Sequence, residues 1–296
     1  MLKNYKSGFV SILGRTNVGK STLLNSLIKE KVAIISQRPQ TTRNVVRGIL
    51  TEKDYQIIFI DTPGIHKPKH KLGKHMVNMA MRSLDEVDAV LFITDGTYIG
   101  PGDRYIIEAI ENIKAPIILL LNKMDLMTKS EIDSAIEEFS KTMNFYNIIP
   151  ISAINKDNLD KVLATIIQII PHGPQYYPSE MYTDQPERLI IAELIREKAL
   201  QSLREEIPHG VAIDVEKMLE KPDEEITYIG VTIYCEKESH KGIIIGKNGQ
   251  MLKHIGKLAR LEIEEFLGTN IFLDIWVKVN KDWRNKEGFF RNLEYR

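Results

Sequence analysis

The sequence predicts an α/β fold on a mixed, mainly parallel sheet, followed by a smaller α+β domain, and three observations carry the prediction. Short apolar runs alternate with longer amphipathic ones as far as Pro171, the rhythm of successive strand and helix units around a parallel sheet. A glycine-rich turn that opens a helix follows the first apolar run directly. Beyond a proline-rich interruption the pattern changes to a helix and then strands of period two. The chain therefore divides into residues 1–171, a linker at 172–186 and a second domain at 187–296.

In the first domain, Phe9 to Leu13, Gln56 to Ile60, Ala89 to Thr94, Ile117 to Leu121 and Ile148 to Ile151 are continuous apolar runs suited to strands buried on both faces. Helical spacing is expected over Ser21–Ile28, Asp103–Glu111, Glu131–Met143 and Leu159–Ile170. Val45–Thr51 is an additional strand, and the short Lys53-Asp54 link to the next one implies a hairpin, hence an antiparallel edge. The linker, with Pro171, Pro174, Pro178 and Pro186, breaks every periodicity.

Composition narrows the function classes. Of 296 residues, 43% are hydrophobic and 27% charged, and the formal net charge is zero. That balance suits a globular chain and removes any protein-wide field that would gather nucleic acid or anionic lipid, so such binding has to be local. The single cysteine, Cys235, has no disulfide partner and no zinc-spaced neighbours, which fits a reducing compartment; a half-buried, inert strand position is expected for it. The amino terminus lacks an apolar signal core, and no stretch approaches the roughly 20 apolar residues of a membrane span. A cytoplasmic location is expected.

The chemistry begins at Gly14-Arg15-Thr16-Asn17-Val18-Gly19-Lys20-Ser21, which matches GxxxxGKS/T between a strand and a helix, the context that gives the match meaning. Such a phosphate loop, or P-loop, lets glycine backbone wrap close to phosphates, aims unpaired amides at their charge, and brings Lys20 to the outer phosphates and Ser21 to a magnesium ion, with Thr22 beside it. Asn122-Lys123-Met124-Asp125 closes the strand Ile117–Leu121, on the sheet edge where ligands bind in such folds. A carboxylate at Asp125 can accept from guanine N1 and N2 and would be left unpaired by adenine. Asn122 is expected to tie this loop to the phosphate loop, the stem of Lys123 to lie over the base, and Ser152-Ala153 to offer an amide to guanine O6.

Asp61-Thr62-Pro63-Gly64 follows the strand Gln56–Ile60. Asp61 can orient a magnesium-bound water and the Gly64 amide can meet a γ-phosphate. The segment Ile65–Lys74, rich in Lys and His, is expected as a loop that orders only with triphosphate, its histidines forming a solvated basic cluster rather than a metal site. A threonine of Gln40-Thr41-Thr42-Arg43 could close over magnesium. The position after Gly64, where many small GTPases place a water-orienting glutamine, is the apolar Ile65. A P-loop kinase is the reading that Asp125 disfavours.

The second domain is expected to run helix (Arg188–Glu205), strand (Val211–Met218), strand (Ile226–Tyr234), helix (Ser239–Ile245), helix (Gln250–Phe266), strand (Ile271–Val279). Between its last two helices stands Gly246-Lys247-Asn248-Gly249. A GxxG loop in that order of elements indicates a type II KH domain, a single-stranded RNA binder. Candidate RNA contacts are Lys241, Ile245, the loop residues Gly246, Lys247, Asn248 and Gly249, and a stripe of Lys253, Lys257 and Arg260, with Ile243–Ile245 as the floor of a groove for splayed bases.

The order GRTNVGKS, QTTRN, DTPGI, NKMD and SA, with the second domain and its closing Trp276-Val277-Lys278-Val279 and Lys281-Asp282-Trp283-Arg284, resembles the Era GTPases of bacteria, the TrmE-Era type with a carboxyl-terminal KH domain, over essentially the whole chain. The resemblance implies a GTP- and GDP-binding switch that hydrolyses GTP with magnesium, held by Ser21, Thr42 and Asp61, with Thr42 as the switch threonine and Asn17, Lys20, Thr42 and Gly64 acting in catalysis. Asn17 matches the asparagine that relatives use to bind a potassium ion; Arg15 or Arg43 acting in cis competes with it. The implied partner is the 3′ end of 16S ribosomal RNA in the small (30S) subunit, bound by a monomer. Its implied place is the cytoplasm, with peripheral association with the inner membrane. A membrane-docked signalling GTPase whose carboxyl-terminal domain binds lipid or protein is the alternative.

Overall fold

The computed structural model describes residues 4–36, 38, 41–96, 98–204, 207–221 and 226–293. Gln40 and Glu205, named above, lie outside them. The chain forms two compact units, one of residues 1–68 and 74–184, the other of residues 69–73 and 185–296.

The first unit is a six-stranded sheet flanked by helices. Its strands are β1 (Lys6–Gly14), β2 (Val46–Thr51), β3 (Tyr55–Asp61), β4 (Ala89–Thr94), β5 (Ile117–Leu121) and β6 (Asn147–Pro150), in the order β2-β3-β1-β4-β5-β6. All neighbours are parallel except β2 and β3: the predicted hairpin makes β2 an antiparallel edge. The helices are α1 (Lys20–Ile28), α2 (Lys71–Arg82), α3 (Pro101–Ile110), α4 (Lys129–Ser140) and α5 (Leu159–Ile169). One apolar layer packs α1 and α5 through Leu23, Leu24, Val162 and Ile166 against Val10, Ile57 and Leu91. The opposite layer joins Ala80, Ile106 and Phe139 to Leu13, Phe92 and Leu119. Burial on both faces is why these strands read as unbroken apolar runs.

The expected loop Ile65–Lys74 is shorter than the sequence suggested, because Lys71 to Lys74 already form the first turn of α2. Two lysines and a glycine in that stretch conceal an apolar stripe, Leu72, Met76 and Ala80, that is buried at helical spacing. The proline-rich stretch is bound to the first unit as far as Asp184. The amides of Tyr176 and Tyr177 donate to Oε1 of the buried Gln56, whose Nε2 returns a bond to the Tyr177 carbonyl. Farther along, the Ile49 amide donates to the Tyr182 carbonyl.

The second unit contains α6 (Glu187–Ser202), β7 (Ala212–Lys221), β8 (Ile226–Cys235), α7 (Glu238–Ile245), α8 (Gln250–Leu267), β9 (Asn270–Val279) and α9 (Glu287–Asn292). β8 pairs antiparallel with β7 and parallel with β9, which makes β8 the centre and β9 an edge strand. The core joins Ile191, Ile195 and Ala199 of α6 and Ile255, Ala259 and Ile263 of α8 to Ile229, Val231 and Ile233. Cys235 is fully buried, not half-buried as expected, since it lies on the core-facing side of β8 with Ile229, Val231 and Ile233; burial pushes its thiol pKa up and keeps it protonated. No helix among the described residues is long and apolar enough to cross a membrane.

Candidate functional site

In the first unit the phosphate loop turns out of β1 and into α1. Gly19, at φ 103°, sits where only glycine is comfortable, and a Cβ there would lie 2.3 Å from Asn122 Nδ2. Gly14 is held as closely: a Cβ would come within 2.4 Å of the Ile93 carbonyl. Asn122 is the tie expected of it. Its Nδ2 donates to the Val18 carbonyl at 2.8 Å and its Oδ1 accepts from the Ala153 amide at 2.9 Å, joining the phosphate loop, the NKMD loop and the Ser152-Ala153 turn in one buried knot. The Ala153 amide thus donates to Asn122 in this structure.

These loops enclose a cavity of about 680 Å³, within the range of small-ligand sites. Thr16, Asn17, Gly19, Lys20, Ser21 and Thr22 line it with Thr42 and Gly64 at one end, and Asn122, Lys123, Asp125, Ser152 and Ala153 at the other. Gly14, Arg15, Val18, Asp61, Thr62 and Pro63 stand behind this lining. Thr62 Oγ1 donates to the Ile12 carbonyl, and the Ile65 amide to the Gly14 carbonyl. Gly64 approaches so closely that a Cβ would meet Thr16 Cγ2 at 2.7 Å and Thr16 Cα at 2.8 Å. Ile65 is buried in the core and presents nothing to water.

Charge is arranged at the phosphate end. Lys20 Nζ donates to the carbonyls of Arg15 at 2.8 Å and Gly14 at 3.4 Å. Burial lowers its pKa to about 8, against the pull of Asp61. Burial likewise raises the Asp61 carboxyl to about 6, opposed by Lys20 and by hydrogen bonds from Ser21, Thr42 and Thr62. Ser21 Oγ lies 2.9 Å from Thr42 Oγ1 and 2.8 Å from Asp61 Oδ2, while Asp61 Oδ1 is buried without a hydrogen-bond partner. Two hydroxyls and a carboxylate with an unsatisfied oxygen form an all-oxygen donor set, which fits a hard divalent cation such as magnesium.

Several contributors escaped the sequence reading. Leu126 and Ile154, 78% and 74% exposed, line the cavity with Asp125, as do Ile34, Ile35 and Ser36. Exposed apolar chains at the mouth of a polar site offer contact area to a flat ring. Asp95 links two loops: Arg15 Nη2 donates to its Oδ1 at 2.9 Å and Lys123 Nζ to its Oδ2 at 2.6 Å. Arg15 Nε also donates at 2.8 Å to Asp103, a fully buried carboxylate at the start of α3. Two carboxylates thus hold Arg15 away from the lining, and Arg43 is itself 2% exposed. In the sequence Asp95 is a lone carboxylate after the strand Ala89–Thr94, and only the fold brings Arg15 and Lys123 to it.

In the second unit the GxxG loop has Gly246 at φ 72°, Asn248 at 51° and Gly249 at 75°. A Cβ on Gly246 would lie 2.7 Å from Met251 Cβ, so the first glycine is required by packing and the second by conformation. From Gly249 a groove of about 540 Å³ runs along α8, walled by Lys253, Lys257 and Arg260 and floored by Leu252, Gly256, Leu273 and Ile275. The expected cationic stripe therefore sits on one groove, but the expected floor does not: Ile244 is in the core, Ile243 is half exposed, and neither they nor Ile245 or Lys241 line it. Helix α7 turns Ile244 inward and leaves Ile243 on its outer side, and β9 supplies the floor.

The fold and these two sites define a class, a P-loop GTPase domain followed by a KH domain. Comparison with known proteins agrees: a family model for 50S ribosome-binding GTPases matches residues 9–123 and one for KH domains matches residues 206–284. The chain is 54% identical over 293 residues to GTPase Era of Alkaliphilus metalliredigens, covering 99% of both chains. It is 56% identical over 292 residues to GTPase Era of Alkaliphilus oremlandii, covering 98% of this chain and 99% of that one. Among solved structures it is similar, with a TM-score of 0.95, 41% identity and coverage of 98% and 99%, to an Aquifex aeolicus Era variant bound to GDP and aluminium fluoride. A crystal structure of Era with MgGDPNP and nucleotides 1506–1542 of 16S ribosomal RNA matches with the same values. The chain belongs to the Era family of GTPases.

Proposed function

We propose that this chain is a GTP-hydrolysing switch that binds the 3′ end of 16S ribosomal RNA during small-subunit assembly. The observation that carries the reading is the pairing, in one chain, of the Asn122-tied nucleotide cavity with the GxxG groove and its Lys253, Lys257 and Arg260 wall. The Era structure that holds a 16S fragment is a relative matched over nearly the full length. In the nucleotide site, backbone amides of residues 14–19 and Lys20 hold the phosphates, Asp125 reads guanine, and Gly64 and Thr42 sense the γ-phosphate. Ser21, Thr42 and Asp61 hold magnesium, which draws charge from the phosphate oxygens when bound.

With Ile65 buried, hydrolysis rests on positioning and local positive charge. Asn17, exposed at φ 66° on the cavity wall, is the residue that would hold a potassium ion, which would supply positive charge in place of an arginine. Arg15, held by Asp95 and Asp103, is a poorer source. Single-turnover hydrolysis is expected to run at least tenfold faster in potassium than in sodium buffer and to lose that difference in Asn17→Ala. Equal rates in the two buffers would return the role to an arginine.

The RNA arm is tested with Lys247→Glu, a reversal of charge at an exposed loop position that spares both glycines. Affinity for RNA of the 16S 3′ end is expected to drop at least tenfold, and the slope of log affinity against log salt to become shallower by about one for each phosphate no longer neutralised. Undiminished RNA affinity, together with binding to anionic liposomes, would move the domain to the membrane-docked reading.

A further inference from the structure

The groove accounts for one face of β9 and leaves the other unexplained. Leu273 and Ile275 turn into the groove, while the alternate residues Phe272 and Trp276 stand on the open face of the sheet, 60% and 63% exposed. β9 is an edge strand of its sheet, so a chain leaving the groove meets these rings by rounding a single strand. Neither ring waits to be ordered. Phe272 stacks on Tyr228 with centroids 5.9 Å apart and planes at 14°. The Trp276 indole and the Tyr228 hydroxyl both donate to Asp274 Oδ2, at 3.2 and 3.0 Å.

The charges on this face are mixed. Asp214, Glu216 and Asp274 face Lys217 and Lys278; Glu216 pairs with Lys278 at 3.2 Å and accepts from Thr232. Such a surface does not grip phosphates, but it suits uncharged flat rings, and stacking on aromatic side chains is how single-stranded nucleic acid is held without dependence on sequence. Phe272 and Trp276 are four residues apart, about 13 Å along a strand, so they would receive two separate bases.

We infer that single-stranded RNA in the Gly249–Arg260 groove continues around the edge strand β9 and stacks bases on Phe272 and Trp276. The inference rests on the groove reading above and extends the RNA site beyond the roughly four nucleotides that a GxxG groove clamps. Its continuity with the groove along a shared strand is the reason for preferring RNA to a protein partner on this face.

The sequence has two tryptophans, and Trp283 is fully buried, so quenching of the exposed emission reports on Trp276. The full-length protein would be titrated with pyrimidine-rich RNAs of four and ten nucleotides, following RNA anisotropy and tryptophan emission. The ten-nucleotide RNA is expected to bind more tightly and to quench Trp276, and Phe272→Ala or Trp276→Ala to remove about tenfold of its affinity each. Both variants should leave the four-nucleotide affinity and GTP binding unchanged, which also shows that they fold. If the longer RNA keeps its advantage in the double variant, or leaves Trp276 emission unaltered, the inference is overturned and the face is left for a protein. If neither RNA binds the wild-type chain, the groove reading fails and this inference falls with it.

Discussion

Lys20→Ala is expected to abolish measurable GTP binding at micromolar nucleotide while leaving the thermal unfolding of the chain nearly unchanged. In this structure the Lys20 ammonium is buried, bonded only to the Arg15 and Gly14 carbonyls, and absent from the ion pairs among the described residues. A buried cation without an ion partner is held at a cost, visible in its lowered pKa. A triphosphate in the cavity relieves that cost and the lysine relieves the anion. Removing one partner of such a pair costs about 3–5 kcal/mol, which corresponds to roughly two to three and a half powers of ten in dissociation constant. Calorimetric titration with GTP and GDP checks the result. An alanine variant that still binds within tenfold of wild type would show that the phosphates lie elsewhere.

Asp125→Asn is expected to exchange guanine for xanthine. Asp125 lines the cavity on the short turn after β5 and has no hydrogen bond or ion pair within the protein among the described residues, so its acceptors are free for a ligand's donors. Guanine presents two, at N1 and N2. With asparagine one acceptor becomes an amide donor that clashes with the N2 amine but can meet the O2 oxygen of xanthine. A site built around specific hydrogen bonds discriminates by on the order of 10⁴ when they are mismatched, and a loss of GTP affinity of that order is expected, with xanthosine triphosphate now preferred. Competition between the two nucleotides on both proteins measures the exchange. An unaltered preference for GTP would remove Asp125 from base recognition.

Some elements were legible because their signals are local. GRTNVGKS announces itself between a strand and a helix, and a glycine at φ 103° with no room for a Cβ explains why position 19 is written so plainly. The edge strand β2 was readable from a two-residue hairpin link. Asp95 was not, because a lone carboxylate after a strand has no signature until folding brings Arg15 and Lys123 to it. The start of α2 was hidden by lysines on its exposed side, and the groove floor was misassigned because an Ile-Ile-Ile run does not reveal which way a helix rotates it.

What the sequence alone determined is the order of elements, the phosphate and base-reading loops, and the GxxG turn, since each depends on residues close together in the chain whose conformational and hydrogen-bonding demands need no distant partner. Tertiary structure alone decided which carbonyls hold Lys20, that Asn122 knots three loops, that Asp61 keeps one oxygen unsatisfied, and that Leu273 and Ile275 rather than Ile243–Ile245 floor the groove. Those outcomes depend on burial and on contacts between strands and loops far apart in sequence, and burial is a property of the packed chain rather than of any residue within it.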